Sequence, residues 1–300
     1  MKRLLIQAIM AAVFLITPLK ADVPRSSTPR FQDLTILVPS CDRYSELWEP
    51  FFSILFDQWK SLKGLNEDLP ILLISNHLDY WDQRVETLRL GKELSWSQNM
   101  IEALKKVKTS FVLIILEDYF LTKVDEPLLY DAIEKVMKQE GAGYIQVACG
   151  DDRFTPKTHA RSDIKGLYLK PQNAKYRPSL QACLFNKEVL LKLLNPTENP
   201  WQFEVVGSKR SEQFTEKFYS FLENPPLEYV NACYQGHVMG PAFEYVKKYG
   251  LTLDPKKLKK QEDDFWYFFW EGKIKNPLRN VRDAVYKTLG INQLPQPTFD

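Results

Sequence analysis

The feature that most constrains this chain is an alternation of short apolar runs with amphipathic helical segments between Asp33 and Gly150. Continuous apolar runs predict strands that are buried on both faces, as in a parallel sheet. The predicted strands are Leu34 to Val38, Pro70 to Ile74, Phe111 to Leu116 and Tyr144 to Val147. The predicted helices between them are Leu47 to Trp59, Ser95 to Leu104 and Glu126 to Glu140. The pattern predicts an α/β fold with a mainly parallel, Rossmann-like sheet flanked by helices.

The periodicity weakens after Gly150, and this part is interpreted as the rest of the same domain, up to residue 240, followed by a helical C-terminal extension at 241–300. Its predicted strands are Ile164 to Leu169 and Ser179 to Phe185, and its predicted helices are Lys187 to Leu194, Glu212 to Leu222 and Pro241 to Tyr249.

Both ends of the chain carry features associated with membranes. Lys2-Arg3, an apolar stretch and Lys20-Ala21-Asp22 predict a signal peptide at residues 1–21, with an uncleaved signal anchor as the alternative, before a polar linker at 22–32. Near the other end, a lysine-rich segment precedes the aromatic run Phe265 to Trp270, which suits contact with an anionic membrane surface or packing of a terminal helix. We therefore expect membrane association or an envelope location, with the cytoplasmic face as one option.

Composition excludes several classes of protein. A net charge of +2 is far below that of a nucleic-acid binder. The four cysteines form no CxxC pair and the three histidines are scattered, which argues against a zinc site. The chain has no GxGxxG, phosphate-loop, HExxH or GxSxG motif.

Polar residues follow three of the predicted strands, at the edge where a parallel sheet binds ligands. They are Pro39 to Arg43, Ser75-Asn76 and Glu117-Asp118. A carboxylate at such a strand end suits Mg²⁺ or Mn²⁺, which take oxygen ligands and leave positions open for substrate phosphates. The simpler alternative is that the acidic pair caps the next turn.

Several of these segments resemble the GT-A glycosyltransferases, in particular family-2-like bacterial members. Thr35 to Arg43 is similar to their first strand and nucleotide-binding loop, and Trp96 to Leu104, followed by Leu116 to Leu121, is similar to the helix and DxD-region strand. The resemblance continues at Tyr176 to Ala182 and Glu198 to Glu204, and spans roughly Asp33 to Gly240.

The resemblance implies a nucleotide-sugar donor and a divalent cation. It places Asp42, Arg43, Asn76, Trp96 and Glu117 at the donor and Asp118 at the metal. Leu116 stands where the DxD motif has its first aspartate, which puts strict metal dependence in question.

On the acceptor side, Glu204 is the candidate general base, which would accept the proton of the attacking hydroxyl. Trp201 could stack on a sugar ring or be a core residue. Asp151-Asp152 is a rival acidic pair, and sequence spacing does not decide between this pair and Glu204.

The leading hypothesis is a glycosyltransferase that moves a sugar from a nucleotide-sugar donor to a glycan or lipid-linked acceptor. One alternative is an exported, catalytically degenerate GT-A-like protein that acts in glycan binding or interaction. Another is a glycosidase that pairs Glu117 or Asp118 with Glu204.

Overall fold

A computed structural model describes residues 31–62, 69–92, 95–161, 163–234, 237–253 and 259–260. The strands are β1 Leu34–Pro39, β2 Ile71–Ser75, β3 Val85–Arg89, β4 Phe111–Ile114, β5 Tyr119–Val124, β6 Tyr144–Cys149, β7 Leu167–Leu169, β8 Cys183–Asn186, β9 Phe218–Phe221, β10 Leu227–Asn231, β11 Cys233–Tyr234, β12 His237–Val238 and β13 Lys259–Lys260. The helices are α1 Trp48–Gln58, α2 Trp96–Leu104, α3 Glu126–Asp131, α4 Lys187–Leu193, α5 Pro200–Ser211 and α6 Gly240–Lys247. A 3₁₀ turn at Asp42–Leu47 leads into α1, another follows it at Lys60–Leu62, and α3 continues as a π-helical segment at Ala132–Gln139.

The main sheet has eight strands within the described residues, in the order β3-β2-β1-β4-β8-β6-β9-β7. β3, β2, β1 and β4 are mutually parallel, and β6 and β9 form a second parallel pair. β8 runs antiparallel between β4 and β6, so both parallel groups point the same way. The carboxyl ends of β1, β2, β4, β6 and β9 therefore meet along one rim, and the predicted α/β fold class is confirmed.

The core occupies both faces of this sheet. On one face, α1 and the π-helical segment share one apolar cluster with alternate side chains of β1, β2 and β4, and α6 joins this cluster next to β10. On the other face, α2, α4 and α5 cover the remaining side chains of those strands. Because every residue of β1, β2 and β4 is buried, these strands leave little room for polar side chains. Polar chemistry is consequently displaced to the loops at the rim.

A separate two-stranded ribbon of β5 and β10 begins directly after Glu117-Asp118. Its antiparallel pairing brings Asn231 opposite Tyr119, and the Ala232 N–H donates to the Asp118 carbonyl at 2.7 Å. The aromatic rings of Tyr119 and Tyr229 stack with centroids 4.1 Å apart. The ribbon thus fixes the backbone on the carboxyl side of the acidic pair.

Most predicted elements are confirmed, but the helix predicted from Glu212 to Leu222 is wrong. The preceding helix α5 ends at Ser211, and the segment instead enters strand β9. Phe214, Phe218 and Leu222 recur at four-residue intervals and so mimic an amphipathic helix. All four residues of β9 are buried between β6 and β7, and pairing with those strands outweighs the helical periodicity.

No helix in the described ranges is both long and apolar enough to cross a membrane. The predicted signal segment 1–21, most of the linker 22–32 and the aromatic run near the C-terminus lie outside the described residues. Of the C-terminal extension, α6 contributes Ala242 and Val246 to the core, and the Tyr245 hydroxyl donates to the Leu121 carbonyl at 2.7 Å.

Two glycines with positive φ offer a matched test of backbone packing. Gly166 has φ +83°, and a Cβ there would lie 2.1 Å from the Glu223 carbonyl oxygen. Gly141 has φ +73°, but a Cβ there would meet nothing within 4 Å. We expect Gly141→Ala to lower the free energy of unfolding by about 1 kcal/mol from backbone strain. We expect Gly166→Ala to lower it by about 3 kcal/mol or more, because strain and overlap combine. Urea denaturation measures both, and equal losses would contradict the close approach at Gly166.

Candidate functional site

The loop after β1 is tied to the loop after β2 by Asp42 and Asn76. The Asp42 N–H donates to Asn76 Oδ1, and the Asn76 N–H donates to Asp42 Oδ1, each at 3.0 Å. The backbone N–H groups of His77 and Leu78 also donate to the Asp42 carboxylate. Desolvation acts to raise the pKa of Asp42, but these backbone donors outweigh it and hold the pKa below its usual value. The predicted neighbours Asp42 and Asn76 therefore lie together, with Arg43 exposed beside them.

Ser40 links the same loop to the end of β4. Its hydroxyl oxygen accepts the indole N–H of Trp48 at 2.8 Å, which leaves the hydroxyl proton for the Glu117 carboxylate. Sequence reasoning missed this role of Ser40, although its place directly after a buried strand was a usable signal. The loop after β1 thus contacts both neighbouring strand ends of the rim.

Glu117 and Asp118 lie in the turn after β4, where Glu117 is buried and the half-buried Asp118 has its Oδ1 shielded from solvent. Burial and the charge of Asp118 raise the pKa of Glu117 to about 8, against the smaller opposing effects of its own backbone N–H and Ser40. Burial raises the pKa of Asp118 to about 7. Two adjacent carboxyl groups with raised pKa values hold protons or a cation at neutral pH, since both cannot ionise freely there.

Asp118 carries the clearest mark of a ligand. Its Oδ1 is buried and has no hydrogen-bond partner among the described residues. A carboxylate oxygen of this kind fits a hard divalent cation, which is commonly bound through one or two carboxylates together with substrate phosphates. In the part of the chain that is described, no group of three or more His, Cys, Asp and Glu side chains is placed to hold a metal ion. The pair thus fits an ion shared with a substrate rather than an all-protein cage.

The hydrocarbon side chain of Leu116 has no donor atom for a cation, and it is half-buried in the apolar cluster on the α2 face of the sheet. The departure from the DxD pattern is therefore a packing feature. A residue that contributes to the core replaces the first acidic position.

Glu204 lies across the rim from the acidic pair. Its Oε1 accepts the Leu180 N–H at 2.7 Å and the Ser179 hydroxyl at 3.0 Å. Burial raises the pKa of Glu204, although those two donors and the amine of Lys170 act in the opposite direction. The raised pKa brings this carboxylate closer to the range of a general base at neutral pH.

Tyr119 directly follows Asp118, and its ring stacks on that of Tyr229. Both tyrosines have pKa values raised first by burial and also by the charges of Asp118 and Glu204. The stacked pair therefore senses the charge of both carboxylates. Sequence reasoning missed Tyr229, because the ribbon pairing that brings it to the rim involves residues far apart in the chain.

Helix α5, which carries Glu204, begins with a capping box. The Asn199 side chain accepts the Gln202 N–H, the Gln202 side chain accepts the Asn199 N–H, and Pro200 occupies the first helical position. Trp201, one turn before Glu204, is 63% exposed, so the interpretation of Trp201 as a core residue is wrong. Trp96, which was predicted at the donor, is half-buried, and its ring lies 5.4 Å from that of Phe203 in α5. No described contact joins Trp96 to Glu117 or Asp118.

The rival acidic pair lies at the end of β6. The Asp151 carboxylate accepts the backbone N–H and the guanidinium of Arg153, and these bonds lower its pKa against a smaller opposing effect of burial. Asp151 and Asp152 line a cleft of about 470 Å³ with Cys149, Gly150, Lys157, Gln181 and Leu222. Asp151 is already committed to an arginine, which makes it a weaker candidate base than Glu204.

Comparison with known proteins finds likeness in structure only. No protein-family model matches the chain, and no curated protein matches it in sequence. S. aureus TarS 1–349 in complex with UDP is 11% identical with a TM-score of 0.47, over 87% of this chain and 78% of that one. A further TarS 1–349 structure is 12% identical with a TM-score of 0.45. This alignment covers 67% of this chain and 60% of that one, so the chain spans less than two thirds of that structure's length. The mannosyltransferase PcManGT from Pyrobaculum calidifontis, with GDP-Man and Mn²⁺, is 11% identical with a TM-score of 0.45, over 88% of this chain and 76% of that one.

All three alignments have identities of 11–12% and TM-scores below 0.5. Proteins this distant can share a fold while differing in chemistry. The site itself must therefore carry the functional conclusion.

The raised pKa of Glu117 predicts an unusual dependence of stability on pH. Because the folded protein binds this proton more tightly than the unfolded chain, the group costs stability as pH rises from about 4.5 through about 8. Glu117→Gln mimics the protonated form. In metal-free buffer it should match wild type near pH 5 and exceed it by up to about 5 kcal/mol near pH 9. Denaturant unfolding at both pH values measures this, and a variant less stable than wild type at the higher pH would contradict the assignment.

Proposed function

We propose that this protein is a glycosyltransferase that moves a sugar from a nucleotide-sugar donor to a glycan or lipid-linked acceptor. The observation that carries the proposal is the buried Oδ1 of Asp118, which has no hydrogen-bond partner among the described residues. Glu204, a carboxylate with a raised pKa, is held by Leu180 just before β8, whose first residue pairs with the end of β4 at the same rim. A group that fits a cation and diphosphate thus shares one rim with a group that fits proton transfer.

On the donor side, Asp118 would hold Mg²⁺ or Mn²⁺, with Glu117 beside it. The bound ion would neutralise charge on the departing nucleoside diphosphate. The Asp42 carboxylate mainly accepts hydrogen bonds from three backbone N–H groups. In this proposal, Asp42 therefore shapes the nucleotide-binding loop together with Asn76. Arg43 is exposed next to that loop and is available for the anionic part of a nucleotide.

On the acceptor side, Glu204 would accept the proton of an acceptor hydroxyl while that oxygen attacks the anomeric carbon of the donor. The new glycosidic bond forms as the bond from that carbon to the diphosphate oxygen breaks, and the electron pair leaves with the nucleoside diphosphate. Trp201 offers an exposed aromatic face one helical turn away, suited to the apolar face of a sugar ring.

A second candidate is the exported, catalytically degenerate protein that binds glycans without transferring sugar. The specific observation in its favour is Leu116, which the core holds at the position of the first DxD aspartate. Finding the mature N-terminus near Asp22 outside the cytosol would favour this candidate. Nucleotide sugars are made in the cytosol, so an exported transferase would be separated from its donor. Association with a membrane surface belongs to either candidate.

Asp118→Asn tests the donor side. We expect sugar transfer from UDP or GDP sugars with Mn²⁺ to fall at least about 100-fold, because the variant loses the anionic oxygen for the cation. Product formation over a panel of glycan and lipid-linked acceptors is the measurement, and the matched control is Asp79→Asn, an exposed carboxylate paired with Arg89. Full transfer by Asp118→Asn would contradict the assignment. A wild type inactive with every donor would favour the binding protein.

Glu204→Gln tests the acceptor side. The variant keeps the shape of the side chain but cannot act as a base, so we expect kcat to fall about 100-fold or more while donor binding persists. Asp151→Asn is the matched control and should keep wild-type kcat, because Arg153 already occupies that carboxylate. The opposite ranking of the two variants would make Asp151 the better candidate base.

A further inference from the structure

Lys170, just beyond β7, is a buried amine that the proposed mechanism does not yet use. Only 4% of the residue is exposed. Its Nζ donates to the Tyr176 carbonyl at 2.7 Å and lies 3.5 Å from Gln146 Oε1 and 5.7 Å from the centroid of the Tyr144 ring. Burying a lysine is costly unless a counter-charge compensates it, and these contacts are all to neutral groups.

The Tyr176 contact holds a constrained stretch of backbone. Tyr176 has φ +50°, which is uncommon for a residue with a side chain. The next residues bear directly on Glu204, because Ser179 and Leu180 donate to its carboxylate. The amine therefore anchors the start of the segment that supplies both hydrogen bonds to Glu204.

Tyr144 provides a second connection between Lys170 and Glu204. Its ring lies beside the amine, and its hydroxyl donates to the Ser179 carbonyl and accepts the Ser179 N–H. Ser179 then donates its own hydroxyl to Glu204 at 3.0 Å. Tyr144 and Ser179 thus connect the buried amine of Lys170 to the half-buried carboxylate of Glu204.

Electrostatics agree with this geometry. Burial lowers the pKa of Lys170 to about 7, and the opposing effect of Glu204 is the largest charge interaction of the amine. Reciprocally, Lys170 is the charge that acts to lower the pKa of Glu204. The other titratable groups that act on one or both of these residues are Tyr119, Tyr144, Tyr229, Cys183, Asp151 and Arg177.

We propose that Lys170 is the positioning residue of the acceptor side: it anchors the segment from Tyr176 to Leu180 against Glu204 and supplies the buried positive charge opposite that carboxylate. The role of Glu204 as the base rests on the proposed function. The connection of Lys170 to Glu204 runs through Tyr176, Tyr144 and Ser179 and does not depend on that role, although no described contact joins the amine and the carboxylate directly.

A double-mutant cycle across pH tests the pairing in the full chain. The variants are Lys170→Met, Glu204→Gln and their combination, and the measurement is the free energy of unfolding in urea from about pH 5 to about pH 9. The lost packing of the lysine stem cancels in the cycle. We expect a favourable coupling that peaks near neutral pH, because Glu204 protonates in acid and Lys170 loses its charge in base. Lys170→Gln, which keeps a donor for Tyr176 without the charge, replaces Lys170→Met if that variant does not fold, and should also lack the coupling.

A coupling that is absent or does not change with pH would overturn the proposal and leave Lys170 as a structural residue. Sugar transfer by the same variants is the second measurement. Without the Lys170 charge, the pKa of Glu204 should rise, so the acid limb of the kcat profile of Lys170→Met should move to higher pH, with about a tenfold loss of rate below neutrality. An unmoved acid limb would also overturn the proposal. If the wild type transfers no sugar, the proposed function fails, while the unfolding cycle still decides whether Lys170 and Glu204 are paired.

Discussion

The burial of both faces of the central sheet is the constraint on which the rest of the structure depends. β1, β2 and β4 expose no residue, so the charged and amide side chains of the site lie beyond their ends, and the hydroxyls of Thr35 and Ser75 within the strands are hydrogen-bonded. Parallel pairing then gathers those ends at one rim. Two links hold the rim together: Asp42 with the loop after β2, and Ser40 with Glu117. The low-dielectric setting that stabilises the fold also raises the pKa values of Glu117 and Asp118.

The sequence was informative where local chemistry and sheet topology act together. Asp42, Asn76 and the pair Glu117-Asp118 could be assigned to one rim because they directly follow apolar runs, and parallel strands share a carboxyl edge. Long-range pairing could not be read in this way. Tyr229 reaches the site through a ribbon whose partner strand lies far away in the chain, and β9 was mistaken for a helix because its buried aromatics also fit helical spacing. The exposure of Trp201 likewise depends on how α5 packs.

The two halves of the site differ in how their carboxylates are supported. Within the described residues, Asp118 has a buried oxygen without a hydrogen-bond partner. Glu204 is instead held by Leu180 and Ser179, with the amine of Lys170 behind them. In the proposed function, a carboxylate that binds a ligand and a carboxylate that acts as a base need opposite environments, and these two residues have them. Leu116 would leave a cation fewer protein ligands, so substrate phosphates would supply more of the coordination.

The central claim is that Asp118 and a donor diphosphate share a divalent cation at this rim. Isothermal titration of UDP and GDP into the full-length protein, with Mn²⁺ and with EDTA, tests this most directly because it needs neither an acceptor nor turnover. The account predicts that at least one nucleotide binds with Mn²⁺ and that its affinity falls at least about tenfold without the metal. Binding of neither nucleotide, or equal binding with Mn²⁺ and with EDTA, would contradict it.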